Sequence, residues 1–350
     1  MSPLQTVKRS FVIGFALVAA AAFSSAAGAQ ELTIGTIGAS SDAPFFIADA
    51  KGYFAEQGLK VSFVRFDSAA KSIPSLGSGE VDVGSGASSA GLYNAIGRGI
   101  GIRIVADKAR NAKGYGFQAI MARTDLIDSG KIKSVKDLKG LKVAMSANGN
   151  SENAFMSYAL NQVGLSYGDI DPVFLGFPNQ IAAYANKGID ASLTVEPTVA
   201  ELLKLGTAKK LVSADEVFPD YQTAVVFYSP KFMHDQPENA KKFMIAYVKA
   251  ARYYNDALKG GHIAGPNADD VINILTKYSF IKDPAVHRAI VSQAIDPNGD
   301  VNMPSLQMAW KFFLDTKQID GSVKVDNAVD LSYVHEAAKA LGPYKKAASQ

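Results

Sequence analysis

Residues 80–101, EVDVGSGASSAGLYNAIGRGIG, hold the densest grouping of residue types able to grip a small ligand. Gly84, Ser85, Gly86, Ala87, Ser88 and Ser89 lie between a short apolar run at 81–83 and a helical pattern that begins at Ala90. A strand, a small-residue turn and a helix start gather backbone N–H groups and hydroxyls around one point. The helix dipole adds partial positive charge there, so the chemistry is hydrogen bonding to a small anion or polar acceptor. A plain βα turn without ligand fits the same residues. A dinucleotide fingerprint fits less well, because Ser89 stands where G-x-G-x-x-G requires its third glycine.

Other candidates are spread along the chain. Ser40 and Ser41 either donate to a ligand oxygen or, with Asp42, cap a helix opened by Pro44. Phe45 either stacks on an aromatic ligand or belongs to the core. The turn at 146–152 repeats the device of the first, with Asn148, Asn150 and Ser151 ahead of a helix at 153–163. Lys108, Arg110 and Lys113 cluster past a strand at 102–106. A guanidinium there suits a carboxylate or sulfonate; ordinary solvated loop residues are the plainer reading. Tyr115 and Phe117 either line a cleft or pack a hinge. Glu196 either accepts from a ligand amino or hydroxyl group or bridges two lobes, and Pro197 opens the next helix.

The same survey leaves no catalytic or metal site. His234, His262, His287 and His335 are dispersed and the chain has no cysteine. The run at 296–300 lacks the glycine placement and distal glutamate of a calcium loop, and no G-x-S-x-G elbow is present. A binding protein without cofactor is expected, not an enzyme.

The elements that position these residues follow from the pattern. Lys8, Arg9, the apolar stretch 11–23 and Ala27-Gly28-Ala29 form an export signal with cleavage after Ala29. Without cysteine the exported chain needs no disulfide and offers no thiol to a lipid, so a free periplasmic protein is expected. The net charge of +3 falls to +1 once Lys8 and Arg9 leave, which argues against nucleic-acid and anionic-membrane surfaces. Strands at 32–37, 59–66, 81–83 and 102–106 alternate with short helices, the pattern of a parallel α/β sheet with ligands beyond the strand ends. A strand at 117–123 crosses to a second α/β unit with strands at 142–145, 171–177 and 191–195, and 221–228 returns. Helices are expected at 237–258, 268–278, 284–294 and 304–316. The fold class is therefore α/β with two lobes, 30–120 plus 226–350 and 121–225, hinged around a cleft.

The segments LTIGTIGASSDAPFFIADAKGYFAEQGLKVSF, GEVDVGSGASSAGLYNAI, DLKGLKVAMSANGNSEN and DASLTVEPTVAEL follow an export leader in that order. Together they resemble the periplasmic substrate-binding proteins of ABC importers, in the branch that handles nitrate, sulfonates, taurine and pyrimidine precursors of thiamine. The resemblance covers essentially the whole chain after the leader. It implies a type II, Venus-flytrap clamp with two crossover strands and no catalytic role. By position it assigns the turn around Ser40 and Ser41, the turn Ala87, Ser88 and Ser89, the turn from Asn148 through Asn150 to Ser151, and Glu196 to the ligand. The implied solute is a small organic anion or zwitterion of sulfonate, carboxylate or pyrimidine type. The implied partners are an inner-membrane permease and its ATPase, with the binding protein itself a monomer. A ligand-presenting protein for a membrane sensor and a pyrimidine-synthase-like enzyme on the same scaffold remain open alternatives at this point.

Overall fold

The computed structural model describes residues 30–347, so the expected export signal and its cleavage site lie outside the described residues. The first sheet is entered through β1 (Gln30–Thr36), β2 (Leu59–Arg65), β3 (Val83–Gly86) and β4 (Arg103–Asn111). The second contains β5 (Gln118–Arg123), β6 (Lys142–Met145), β7 (Asp171–Phe174), β8 (Ala191–Val195) and β9 (Ala208–Ser213). The chain then returns as β10 (Tyr221–Tyr228). Each sheet has five strands, in the orders β2-β1-β3-β10-β4 and β7-β6-β8-β5-β9. The sheet changes fall at 112–117 and 214–220. The expected lobe borders at 120 and 225 fall inside β5 and β10.

Both sheets are mixed, where a parallel sheet was expected. β1, β2 and β3 run parallel, as do β6, β7 and β8, but β10 is antiparallel to β3 and β4, and β5 to β8 and β9. The cause is the direction of entry. A chain arriving from the other lobe comes through the cleft, which lies at the carboxyl ends of the parallel strands, and must run against them.

Val81 lies outside β3; the strand instead takes in Gly84, Ser85 and Gly86, which pair with Phe227, Val226 and Val225 of β10. Only glycine fits at two of these positions. A Cβ on Gly84 would sit 2.6 Å from Leu76, and one on Gly86, whose φ is 130°, would sit 2.7 Å from Ala69. Both contacts come from the helix Ala69–Ser78, which packs directly on the strand.

The first lobe is stabilised by an aromatic core. Phe45 meets Phe243 and Tyr247, and Phe54, Tyr228 and Phe232 complete the cluster against the long helix Pro237–Asp256. The second lobe buries Ile120, Val143, Met145, Phe155, Leu160 and Leu193. A smaller cluster belongs to both: Ile37, Ala109 and Ala224 from the first lobe meet Phe117, Phe177 and Val195. The helix expected over 284–294 ends at Ala289. Beyond it the chain is drawn out along β4, with Ala294 and Arg110 exchanging backbone hydrogen bonds of 3.0 and 2.9 Å. Among the described residues no helix is long and apolar enough to cross a membrane.

Candidate functional site

The two serine- and asparagine-bearing turns meet across the gap between the lobes. Ser89 caps the helix Ala90–Gly97 by accepting from Leu92 N–H at 3.1 Å, and Asn150 caps Ser151–Asn161 by accepting from Glu152 N–H at 3.1 Å. The turns then pair with each other: Ala90 N–H donates to Gly149 O at 2.8 Å and Ser151 N–H to Ser88 O at 2.9 Å. Four of the N–H groups at these helix starts are therefore taken, by caps or by the opposite lobe. In this closed arrangement they form the lips of a clamp.

Beneath the lips is an enclosed cavity of about 20 Å³. Ser41, Ala87, Thr223 and Ala224 line it from the first lobe, and Gln118, Glu152 and Phe177 from the second. Such a volume admits little more than one water-sized group, so a larger solute enters only when the lobes part. Ser41 hydroxyl has no protein hydrogen-bond partner among the described residues, while Thr223 hydroxyl donates to Ala109 O at 2.8 Å. Gln118 accepts from Asn111 Nδ2 at 3.2 Å through its carbonyl, leaving its amide nitrogen without a protein acceptor among the described residues. Glu152 accepts from Ser146 N–H at 2.8 Å and Ser146 hydroxyl at 2.7 Å, and among the described residues no Lys or Arg pairs with it. Burial pushes its carboxyl up to about 7 against these donors.

The charged candidates serve the frame around the cavity. Asp42 carries no side-chain cap; its carboxylate accepts from Ile37 and Gly38 N–H at 3.1 and 2.7 Å and meets Lys108 at 2.6 Å, both side chains fully buried. Burial lowers the Lys108 ammonium below its usual range, and Asp42 opposes that shift. Arg110, on β4 and not in a loop, reaches Asp107, Asp220 and Asp296 at 3.3, 3.6 and 3.3 Å. Asp107 itself is fully buried, accepts from Gln222 Nε2 at 2.6 Å and is pushed up to about 6 by that burial.

Of the expected ligand residues, Ser41 and Ala87 line the cavity, and Phe117 joins them. The others are placed elsewhere. Ser40 exchanges hydrogen bonds of 3.1 Å with Gln293. Phe45 is sealed in the aromatic core. Ser88, Ser89, Asn150 and Ser151 form the lips, and Asn148 is exposed beside them. Arg110 is held by its three carboxylates, and Tyr115 packs half-buried on the first-lobe core. Glu196 takes its bridging alternative: its carboxylate accepts from Ala200 N–H at 2.9 Å and, across to the first lobe, from Val291 N–H at 3.1 Å. Ser40 N–H donates to Glu196 O at 3.0 Å beside it. Gln118, Glu152, Phe177 and Thr223 were not singled out from sequence. Gln118 opens β5 and Thr223 lies near the start of β10, so position at the entry of a crossing strand was the available signal.

Two α/β lobes, joined by two short crossings and closed over a cavity that both line, make the architecture of a periplasmic solute-binding protein. The chain belongs to the NMT1/THI5 like family, whose sequence model matches residues 40–257. It is 28% identical over 152 residues to the putative aliphatic sulfonates-binding protein of Escherichia coli K12, covering 43% of this chain and 45% of that protein. It is 28% identical to the taurine-binding periplasmic protein of the same organism, covering 68% of this chain and 71% of that protein. It is also 25% identical to the 4-amino-5-hydroxymethyl-2-methylpyrimidine phosphate synthase of Aspergillus parasiticus, over 60% of this chain and 62% of the enzyme. The match thus spans under half of the first of these relatives. In fold, the periplasmic nitrate-binding protein NrtA of Synechocystis PCC 6803 aligns with a TM-score of 0.72 at 17% identity, covering 89% of each chain.

Proposed function

We propose that this protein is the extracytoplasmic solute-binding component of an importer, capturing a small organic solute between its lobes and presenting the closed form to a membrane permease and its ATPase. The observation that carries this reading is the cavity: both lobes line it, and it is closed by hydrogen bonds from lip to lip that must break for anything to enter. Closure that depends on the solute is the differential signal a permease can read. The two relatives that are binding proteins support a periplasmic site of action.

The cavity chemistry favours binding over catalysis. Its one titratable lining group is Glu152, and no histidine lines it beside Ser41. The pyrimidine phosphate synthase among the relatives keeps an enzyme as the competing reading.

The test is a thermal-shift screen of purified protein, freed of carried-over ligand, against sulfonates, taurine, nitrate, carboxylates and aminopyrimidines. A ligand bound only by the folded state stabilises it by RT ln(1 + [L]/Kd), about 2.7 kcal/mol at a hundredfold excess over Kd. One chemical class should raise the melting temperature, and the compound should be recovered unchanged. No rise with any class, or conversion of the compound, overturns the proposal.

A further inference from the structure

Within that clamp reading, we infer that Glu152 forms a subsite for a nitrogen donor: the solute carries an amino or ammonium N–H that bonds this carboxylate. Glu152 is 5% exposed and lines the cavity. Each of its oxygens receives one donor, both from Ser146. A carboxylate oxygen offers two lone-pair directions, so acceptor capacity remains on each. A buried carboxyl without a cationic partner is costly, and a ligand N–H or ammonium supplies what the protein does not.

The cavity lining offers an oxyanion no cation. It includes no lysine or arginine. Two helix N–H groups nearby are engaged: Glu152 N–H by Asn150 and Ser151 N–H by Ser88 O. Against the ionised form of Glu152, an oxyanion would bring a second negative charge. The remaining polar groups, Ser41 hydroxyl and Gln118 amide nitrogen, can donate to an acceptor elsewhere on the solute, and Phe117 and Phe177 cover an apolar part. A purely anionic sulfonate or carboxylate, allowed by the sequence, brings no donor to the remaining acceptor positions of Glu152.

Two matched pairs test the subsite by isothermal titration: taurine against ethanesulfonate, and 4-aminopyrimidine against pyrimidine. In at least one pair the nitrogen-bearing member should bind the wild-type protein more than about tenfold tighter, the scale of one hydrogen bond to a charged group. Glu152→Gln should reduce that preference to within about threefold, with a single cooperative melting transition retained in the absence of ligand. Failure of both pairs to show that preference, with ethanesulfonate and pyrimidine each binding as tightly as its partner, overturns the inference. So does a preference that survives in Glu152→Gln. If that variant does not fold, the wild-type comparison decides alone. Absence of binding by all four compounds overturns the subsite, while the clamp itself stands or falls on the broader screen.

Discussion

Ser89 and Asn150 cap helices in different lobes and face each other as an antiparallel bridge, with hydrogen bonds on either side from Ala90 to Gly149 and from Ser151 to Ser88. One pair of residues therefore does two things. Each side chain satisfies its own helix end, and each backbone joins the opposite lobe. The closed clamp consumes several of the N–H groups that an isolated helix start would offer to an anion. Selection of the solute is left to the side chains underneath.

Loss of a cap should appear as loss of stability. Asn150→Ala removes the acceptor for Glu152 N–H and the donor to Ser146 hydroxyl, at 2.8 Å. It should cost about 1 kcal/mol. Ser89→Ala should cost a similar amount through Leu92 N–H. Urea denaturation of each variant measures both, and an unchanged midpoint would contradict the capping assignment.

The buried pair Asp42 and Lys108 should be fragile to single changes and tolerant of a double one. Lys108→Met leaves the Asp42 carboxylate with only its N–H and hydroxyl donors in a site without solvent. Breaking one partner of a buried pair costs about 3–5 kcal/mol, whereas replacing both can be nearly neutral. Asp42→Asn with Lys108→Met should therefore recover much of the loss by the same denaturation assay. A double variant no more stable than Lys108→Met would refute this.

Much of the fold was legible in the sequence because it rests on local patterning. The alternation of strands and helices, the repeated polar turn and the return through 221–228 all follow from periodicity and turn chemistry. Strand direction at the crossings was not, because it depends on the side from which a chain enters a sheet. Nor was the fate of Arg110. Its partners Asp220 and Asp296 are far away in sequence, and only the drawn-out segment after Ala289 brings Asp296 to β4. Of the site, the turns were readable as sites of hydrogen bonding. That they bond each other, and that Glu152 lies in the cavity below, are facts of lobe-to-lobe packing.

Arg110 offers a direct contrast between the two readings. Arg110→Met should lower stability by about 2 kcal/mol, because Asp107 loses its cation in a fully buried position. Affinity for the solute found by thermal shift should stay within about twofold, since Arg110 does not line the cavity. A large loss of affinity at unchanged stability would restore Arg110 to the ligand.

Glu196 sets a pH dependence with a defined sign. Burial raises its carboxyl from an ordinary 4.5 to about 7, against the hydrogen bonds from Ala200 and Val291. The folded state therefore holds the proton more tightly than the unfolded state, and stability falls as pH rises between those two values. Glu152 and Asp107 act in the same direction. Glu196→Gln should thus show a smaller loss of urea midpoint between pH 5 and pH 7.5 than the wild type. An equal loss would mean that Glu196 titrates as an exposed carboxyl.

The clamp itself is tested most directly by locking it. Ser89 and Asn150 form a non-hydrogen-bonded antiparallel pair, for which Cα separations are ~4.5 Å, inside the ~4.4–6.8 Å range of disulfides. The chain has no native cysteine to compete. In the double variant Ser89→Cys with Asn150→Cys, solute exchange is measured with the lips reduced and then oxidised. The reduced protein should bind and release the solute; the oxidised protein, cross-linked from lobe to lobe, should do neither. Equal exchange by the fully oxidised form would show that solute reaches its site without the lobes parting, and would contradict the account.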